Sequence, residues 1–306
     1  MLDAVQLKDY LSQPQLVSDG QEILKAWTTT SVYFTLKDMA HFSNDDLFLN
    51  KVRRAFGGAL LKTASKEAQD PQQLPCSWSP VCGSDLLFRE QMRIQRDGLP
   101  KPYVLLCEPV GANLLLSIRL FGLATQWAPA LADSMTLALR ETLLQSRINP
   151  GLEGVDIIGR YMKSEPCQKP MQMTGTQDVC LRIISSVDYS ATDILHDPYS
   201  LLTRGVRRLD GMLRWHGLAL ERDWAMRLAE QAQGFDYDVS GLVKKSIRRE
   251  SGRQRQSFKD IVLTGALLIR GDFQDWNIIF PLLESCFIGR GAVDGRGRVQ
   301  FSVSQE

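Results

Sequence analysis

Phe287-Ile288-Gly289-Arg290-Gly291-Ala292-Val293-Asp294-Gly295-Arg296-Gly297-Arg298-Val299-Gln300-Phe301 is the most informative stretch of this chain. Glycine accepts positive φ and lets another backbone come close. A run of accessible N–H groups flanked by guanidinium groups is what a phosphate needs. The plainer reading is a glycine-rich hairpin that only turns the chain, and both readings fit the residues. An apolar stretch, Trp276 to Ile288, leads into the loop, and a short alternating strand, Arg298 to Ser302, leaves it. Helix, loop and strand in that order describe the end of a mixed α+β unit.

Working outward, Asp275 to Cys286 predicts a helix and Ile261 to Ile269 a strand. Between Lys244 and Lys259 lie Lys244, Lys245, Arg248, Arg249, Arg253, Arg255 and Lys259 against one acid, Glu250. Gly252 and its polar neighbours predict an exposed loop or short helix there. Leu218 to Ala232 reads as a helix. Asp197-Pro198, an N-cap followed by proline at the first helical position, opens another helix to about His216. That helix carries Arg204, Arg207, Arg208 and Arg214, with Leu201, Val206, Leu209 and Leu213 as its buried face. Val179 to Val187 is strand-like.

The first half has the same rhythm. Ser31 to Leu36 alternates Val32, Phe34 and Leu36 inward as a strand. Ser43-Asn44 precedes a helical pattern over Asp45 to Ala68 whose polar face holds Lys51, Arg53, Arg54 and Lys62. Tyr103 to Cys107 and Leu114 to Leu120 pair around Gly111, and Pro129 starts a helix to about Arg147. The fold class is therefore α+β, as two tandem ferredoxin-like folds, residues 1–150 and 151–306. The second contains the basic segment 244–259 and the glycine-rich loop 289–297.

Composition narrows the function. With 306 residues, 44% hydrophobic and 23% charged, the chain is an ordinary globular protein. Its net charge is only +1, yet three arginine-rich clusters fall in the second half, which points to a polyanion partner. The cysteines Cys76, Cys82, Cys107, Cys167, Cys180 and Cys286 form no CxxC pair, favouring reduced thiols and a cytoplasmic location. No apolar run reaches membrane-spanning length. The sequence carries no Walker loop, no GxSxG and no metal-ligand spacing, so neither metal nor other cofactor is expected. Of the three histidines, His41 lies between the first strand and the basic helix, while His196 and His216 read as structural.

These segments, in order, resemble the RAMP-superfamily endoribonucleases that cut CRISPR precursor RNA at its repeats, the "Cas six" group. Val52-Arg53-Arg54-Ala55-Phe56-Gly57-Gly58-Ala59-Leu60 is similar to that family's first helix. Cys76 and Cys82 with Leu87-Phe88, then Pro102-Tyr103-Val104-Leu105 and Leu120-Phe121-Gly122, resemble its downstream signposts. Gly205-Val206-Arg207-Arg208-Leu209 after Leu181 to Val187 looks like the start of its second half. Gly265 to Gly271 and the glycine-rich loop look like its end.

The resemblance implies a metal-independent cut of a repeat hairpin, in which the RNA's own 2′-hydroxyl attacks the neighbouring phosphate. It implies catalytic roles for His41, or, as in type IV-like members, for arginines: Arg53, Arg54 and Arg249. Arginine cannot serve as a base, but it stabilises a charged transition state. RNA contacts are expected at Lys51, Arg204, Arg207, Arg208, Lys244, Lys245, Arg248, Arg253, Arg255, Gly289, Arg290, Gly291, Gly295, Arg296 and Gly297. The expected partners are CRISPR repeat RNA, its mature product (crRNA) and other Cas effector subunits, with no membrane. The alternative is a non-catalytic RAMP subunit that only grips guide RNA.

Overall fold

A computed structural model describes residues 2–45, 47–70, 75–90, 93–94, 97–142, 155–166, 169–173, 175–188, 194–250, 257–289 and 291–304. The chain forms two compact units. The first comprises Met1–Leu16, Trp27–Pro166 and Arg214–Leu218, the second Val17–Ala26, Cys167–Leu213 and Ala219–Glu306.

The first unit opens with helix α1 (Ala4–Ser12), followed by strand β1 (Thr28–Leu36) and helix α2 (Phe48–Lys62). Helix α3 (Gly83–Phe88), strands β2 (Tyr103–Val110) and β3 (Asn113–Phe121), helix α4 (Ala128–Leu137) and strand β4 (Ile157–Pro166) complete it. The sheet runs β2-β3-β1-β4, with every pairing antiparallel. Counted within the unit, its strand order is 4-1-3-2 around two crossover helices, the ferredoxin-like arrangement. Val32, Phe34 and Leu36 pair with Ile118, Leu116 and Leu114, and all six are fully buried. Period-two alternation puts them on one face. Helix α2 covers that face with Phe48, Val52, Ala55, Phe56, Ala59 and Leu60, spaced three or four apart.

The second unit repeats the plan. Strand β5 (Thr176–Asp188) and helix α5 (Tyr199–Leu213) are followed by an additional helix, α6 (Arg222–Gly234). Strands β6 (Asp236–Asp238), β7 (Leu242–Glu250) and β8 (Ser257–Asp272), helix α7 (Trp276–Cys286) and strand β9 (Val299–Val303) follow. The path is β6-β8-β5-β9, and β7 also pairs with β8. Strands β6 and β7 thus share the second-strand position, again giving 4-1-3-2. Strand β7 pairs with β8 from Ser257 to Gly265 and β6 pairs with it from Leu268 to Arg270, while a register shift between Leu263 and Gly265 marks the pairing of β8 with β5. Gly265 has φ 103°, and a Cβ there would lie 2.1 Å from the Gly241 carbonyl oxygen.

Several sequence expectations are corrected. The boundary expected at 150/151 falls instead between Pro166 and Cys167, because β4 hydrogen-bonds along β1 from Thr28↔Pro166 to Leu36↔Ile157. Arg214–Leu218 returns to the first unit. There Trp215 Nε1 donates to the Pro100 carbonyl at 2.9 Å, and Trp27 stacks on His216 with centroids 4.5 Å apart. The helix expected over Leu218 to Ala232 starts only at Arg222, after a short strand Leu218–Leu220. The basic segment is strand through Glu250, and Ser257 begins the partner strand, while the stretch around Gly252 lies outside the described residues. Among the described cysteines Cys76, Cys82 and Cys286 are buried and Cys107 and Cys180 half-buried, all with free thiols. Among the described residues no helix is long and apolar enough to cross a membrane.

Two glycines separate backbone strain from steric contact. Gly111 (φ 60°) has nothing within 4 Å of a built Cβ, whereas at Gly122 (φ 52°) that atom would sit 2.1 Å from the Trp215 carbonyl oxygen. Gly111→Ala should lose about 1–2 kcal/mol of stability from φ alone. Gly122→Ala should lose clearly more, because backbone must move. Urea unfolding of the two variants checks this ordering.

Candidate functional site

The glycine-rich loop is folded onto itself. Gly289, Gly295 and Gly297 all have positive φ, and Gly295 ends a 3-10 turn, Ala292–Asp294. Most of the amides of the loop's second half, which sequence reading offered to a phosphate, are in use. Asp294 and Arg296 N–H both donate to the Gly291 carbonyl, Gly295 N–H to Ala292 and Gly297 N–H to Ser186. Ile288 N–H donates to the Gly297 carbonyl at 2.8 Å. Arg296, expected to touch RNA, is only 6% exposed. It faces Asp260 at 3.4 Å, and its methylenes pack on Gly291, where a Cβ would lie 2.7 Å from Arg296 Cδ. This half of the motif acts as a clasp that joins α7 to β9. Arg290 lies outside the described residues.

Helix α5 divides its arginines. Arg207 is exposed, while Arg204 and Arg208 are half-buried. Arg208 Nε donates to the carbonyls of Cys286 and Phe287, both at 3.1 Å, and so caps the C-terminus of α7. Its Nη2 is closed off from solvent without a hydrogen-bond partner, and burial pulls the guanidinium below its usual pKa. Gly205 brings α5 close to α7, since a Cβ there would already touch Leu283 at 3.1 Å. On β7, Lys244 and Lys245 are both exposed and, being adjacent in a strand, project to opposite faces. The backbones of Arg248 and Arg249 pair with Lys259 and Phe258. Arg253 and Arg255 lie outside the described residues.

In the first unit, His41 is exposed on a 3-10 turn, Ala40–Asn44, tied to the β2–β3 turn by the Ala40 N–H donated to Ala112. Its ring lies 4.2 Å from Phe42, which stacks on Phe48 at 5.3 Å. That contact sets the turn on the first turn of α2. Lys51 follows Phe48 by three residues and pairs with Asp45 at 3.6 Å. Exposed Arg54 is three further on, on the same helical face. The exposed imidazole thus stands on a turn that packs on the first turn of α2, the helix that carries Lys51 and Arg54.

Arg53, expected on the same polar face, is turned away by the ~100° step between helical neighbours. Its Nε donates to the Tyr103 hydroxyl at 3.2 Å, and its guanidinium carbon lies 5.9 Å from the Phe88 ring centroid. Tyr103 opens β2, whereas the Ala112 anchor of the His41 turn lies beyond its end. The two anchors are ~25 Å apart at strand rise. His41 and Arg53 are thus held to opposite ends of β2.

Beside Arg53 lies a group that sequence reading missed. Lys101 Nζ donates to the Arg89 carbonyl, and Arg89 pairs with Asp85, which is 2% exposed. Burial first, then the Arg53 charge, pull the Lys101 ammonium down to about 8, against Glu90 and Asp85. Such a lysine exchanges protons close to neutral pH. The available signal was Pro100-Lys101-Pro102, which confines the lysine to extended backbone ahead of a strand. Among the described residues no group of three His, Cys, Asp or Glu could hold a metal ion.

No known protein-family profile matches the chain, and no curated protein matches its sequence. Among solved structures, Thermus thermophilus Cas6 matches 90% of this chain and 99% of its own length, with a TM-score of 0.50 at 12% identity. The chain is Cas6-like in fold. A Cas6 product complex matches with a TM-score of 0.49 at 13% identity, over 90% of this chain and 99% of the other. Csf5, a type IV Cas6 crRNA endonuclease, matches with 0.44 at 13%, over 91% and 100%. On this Cas6-like frame the expected site residues fall into distinct sets: His41 on the turn at one end of the first sheet, Lys51 and Arg54 on α2, and Arg53 drawn to Tyr103. Arg208 and Arg296 are engaged inside the second unit.

The Lys101 environment has a measurable consequence. With a folded pKa near 8 against 10.5 unfolded, the folded chain holds fewer protons between those values. Stability attributable to Lys101 therefore rises with pH through that window, and the penalty is fully present below pH 8. Relative to Lys101→Met, the wild type should gain about 1–3 kcal/mol between pH 7 and 10. Denaturant titrations at both pH values check this, and equal differences would overturn it.

Proposed function

We propose that this protein is an endoribonuclease that binds a CRISPR repeat hairpin, cuts it without metal and retains the product for a cytoplasmic effector complex. What carries this reading is a Cas6-like fold along nine-tenths of the chain, combined with an exposed imidazole on a turn that packs against α2, the helix bearing Lys51 and the exposed Arg54. In such a cut the 2′-oxygen attacks the adjacent phosphorus and the 5′-oxygen leaves, giving a 2′,3′-cyclic phosphate and a 5′-hydroxyl. The protein must align attacker and leaving oxygen, move a proton and neutralise the phosphorane's charge. His41 is suited to the proton and Lys51 with Arg54 to the charge. Arg207, Lys244 and Lys245, exposed on the second unit, are suited to the RNA backbone.

A second reading, a RAMP subunit that grips guide RNA without cutting, draws on the fate of His216. That ring is stacked on Trp27, and its Nδ1 accepts the Thr28 N–H at 3.3 Å, so it is occupied structurally. Catalysis by histidine in the first unit then depends on His41.

Incubation with repeat RNA in EDTA should give a cyclic-phosphate end. Tight, salt-sensitive binding with intact RNA would favour the second reading. His41→Ala should slow single-turnover cutting by about 100-fold or more. A silent His41→Ala together with an inactive but folded Arg53→Ala would move the chemistry to the arginines.

A further inference from the structure

The face of the first sheet that α2 and α4 leave uncovered carries an aromatic pair with no role in the chemistry above. Arg160 on β4 reaches across the helix-covered face, donating to Asp133 Oδ1 at 2.7 Å and to Thr136 at 3.3 Å. Its neighbour Tyr161 therefore projects from the other face. There it meets Tyr33, its direct partner on β1, with ring centroids 4.6 Å apart and planes 13° from parallel. Tyr161 nevertheless remains 50% exposed. The sheet order makes β4 an edge strand, so among the described residues no strand pairs beyond Tyr161 on that side.

The immediate surroundings suit a flat ligand. Gly159, two residues earlier on the same face, carries no side chain, and a Cβ there would lie 3.3 Å from Thr35 Oγ1. The floor beside the ring pair is thus open down to a hydroxyl. On the other side Lys163, also on this face, is exposed and paired with Glu165 at 3.0 Å. Lys163 follows Tyr161 by two residues, one side-chain repeat along the same strand face.

We propose that Tyr161, backed by Tyr33, is a stacking site for one unpaired nucleobase of the bound RNA, with Lys163 beside it to meet the adjoining phosphate. The proposal rests on the RNA-processing reading for its ligand. The occupant is single-stranded, because a duplex keeps its bases stacked on one another inside the helix. Every base has a π-face, so the site accepts any base and adds affinity for a flanking strand, without sequence preference. A cross-strand tyrosine pair also supports its sheet. The test must therefore read the base itself as well as affinity.

The full-length protein is mixed with a single-stranded RNA decamer of non-repeat sequence containing 2-aminopurine. In parallel, the anisotropy of fluorescein-labelled repeat hairpins with and without a single-stranded flank is titrated. Wild type and Tyr161→Phe should quench 2-aminopurine, whereas Tyr161→Ala and Tyr161→Leu should not. The leucine variant keeps apolar bulk without a π-face. Loss of the ring should weaken the flanked hairpin by about 10-fold or more and leave the bare hairpin unchanged. Unchanged quenching in both variants, or equal weakening of both hairpins, overturns the proposal. If the wild type ignores the repeat hairpin but quenches the decamer through Tyr161, the stacking site stands and the repeat-processing reading falls.

Discussion

Gly297 and the carbonyl of Ile288 approach so closely that a Cβ on Gly297 would sit 1.6 Å from that oxygen. No side chain is compatible with this contact, and the architecture of the second unit depends on it. The contact brings the residues after α7 against the residues before β9, so that β9 can pair with β5 from Val299↔Ile183 to Val303↔Val179. It also pairs Ile288 N–H with the Gly297 carbonyl and directs Gly297 N–H to Ser186. Arg208 caps the same junction from α5. A motif that in isolation suggests a phosphate cradle thus serves first to close a fold, because backbone donors held by carbonyls are unavailable to an anion.

Helical geometry sorts the cations of the first unit in a similar way. Arg53 and Arg54 are adjacent in sequence, yet one binds the Tyr103 hydroxyl under Phe88 and the other faces solvent. Gly57, one turn after Arg53, carries Phe88 where a Cβ would come within 2.9 Å of the ring. That gap admits the aromatic cluster of Phe56, Phe88 and Tyr103 into which Arg53 is drawn. Arg53 therefore orders the end of the sheet where Lys101 is desolvated. His41 and Arg54 stay exposed and Lys51 half-buried, where a large anionic ligand can reach them.

The two units differ in how they use the same topology. In the first, every strand of the ferredoxin-like sheet is one continuous segment, and its edge strand leaves Tyr161 open to solvent. In the second, the second-strand position is split between β6 and β7, and the pairing of β7 along β8 ends at Gly265, whose φ is positive. Strand β7 then extends as a basic ribbon with β8, where a loop or short helix had been expected.

Sequence by itself determined the elements and their order. The alternation in Val32-Tyr33-Phe34-Thr35-Leu36, the three-four spacing of α2 and the glycines around Arg296 each follow from burying one face or tolerating positive φ. Those requirements are local, and they appear in the residues themselves. Only the tertiary structure decided that β4 completes the first sheet, that Arg214–Leu218 rejoins that unit, and that Arg296 turns inward to Asp260. It also decided that Lys101 loses much of its hydration beside Arg53. These outcomes depend on contacts between residues far apart in the chain. The direction of a guanidinium or the pKa of an amine is set by what is packed around it, which no local pattern encodes.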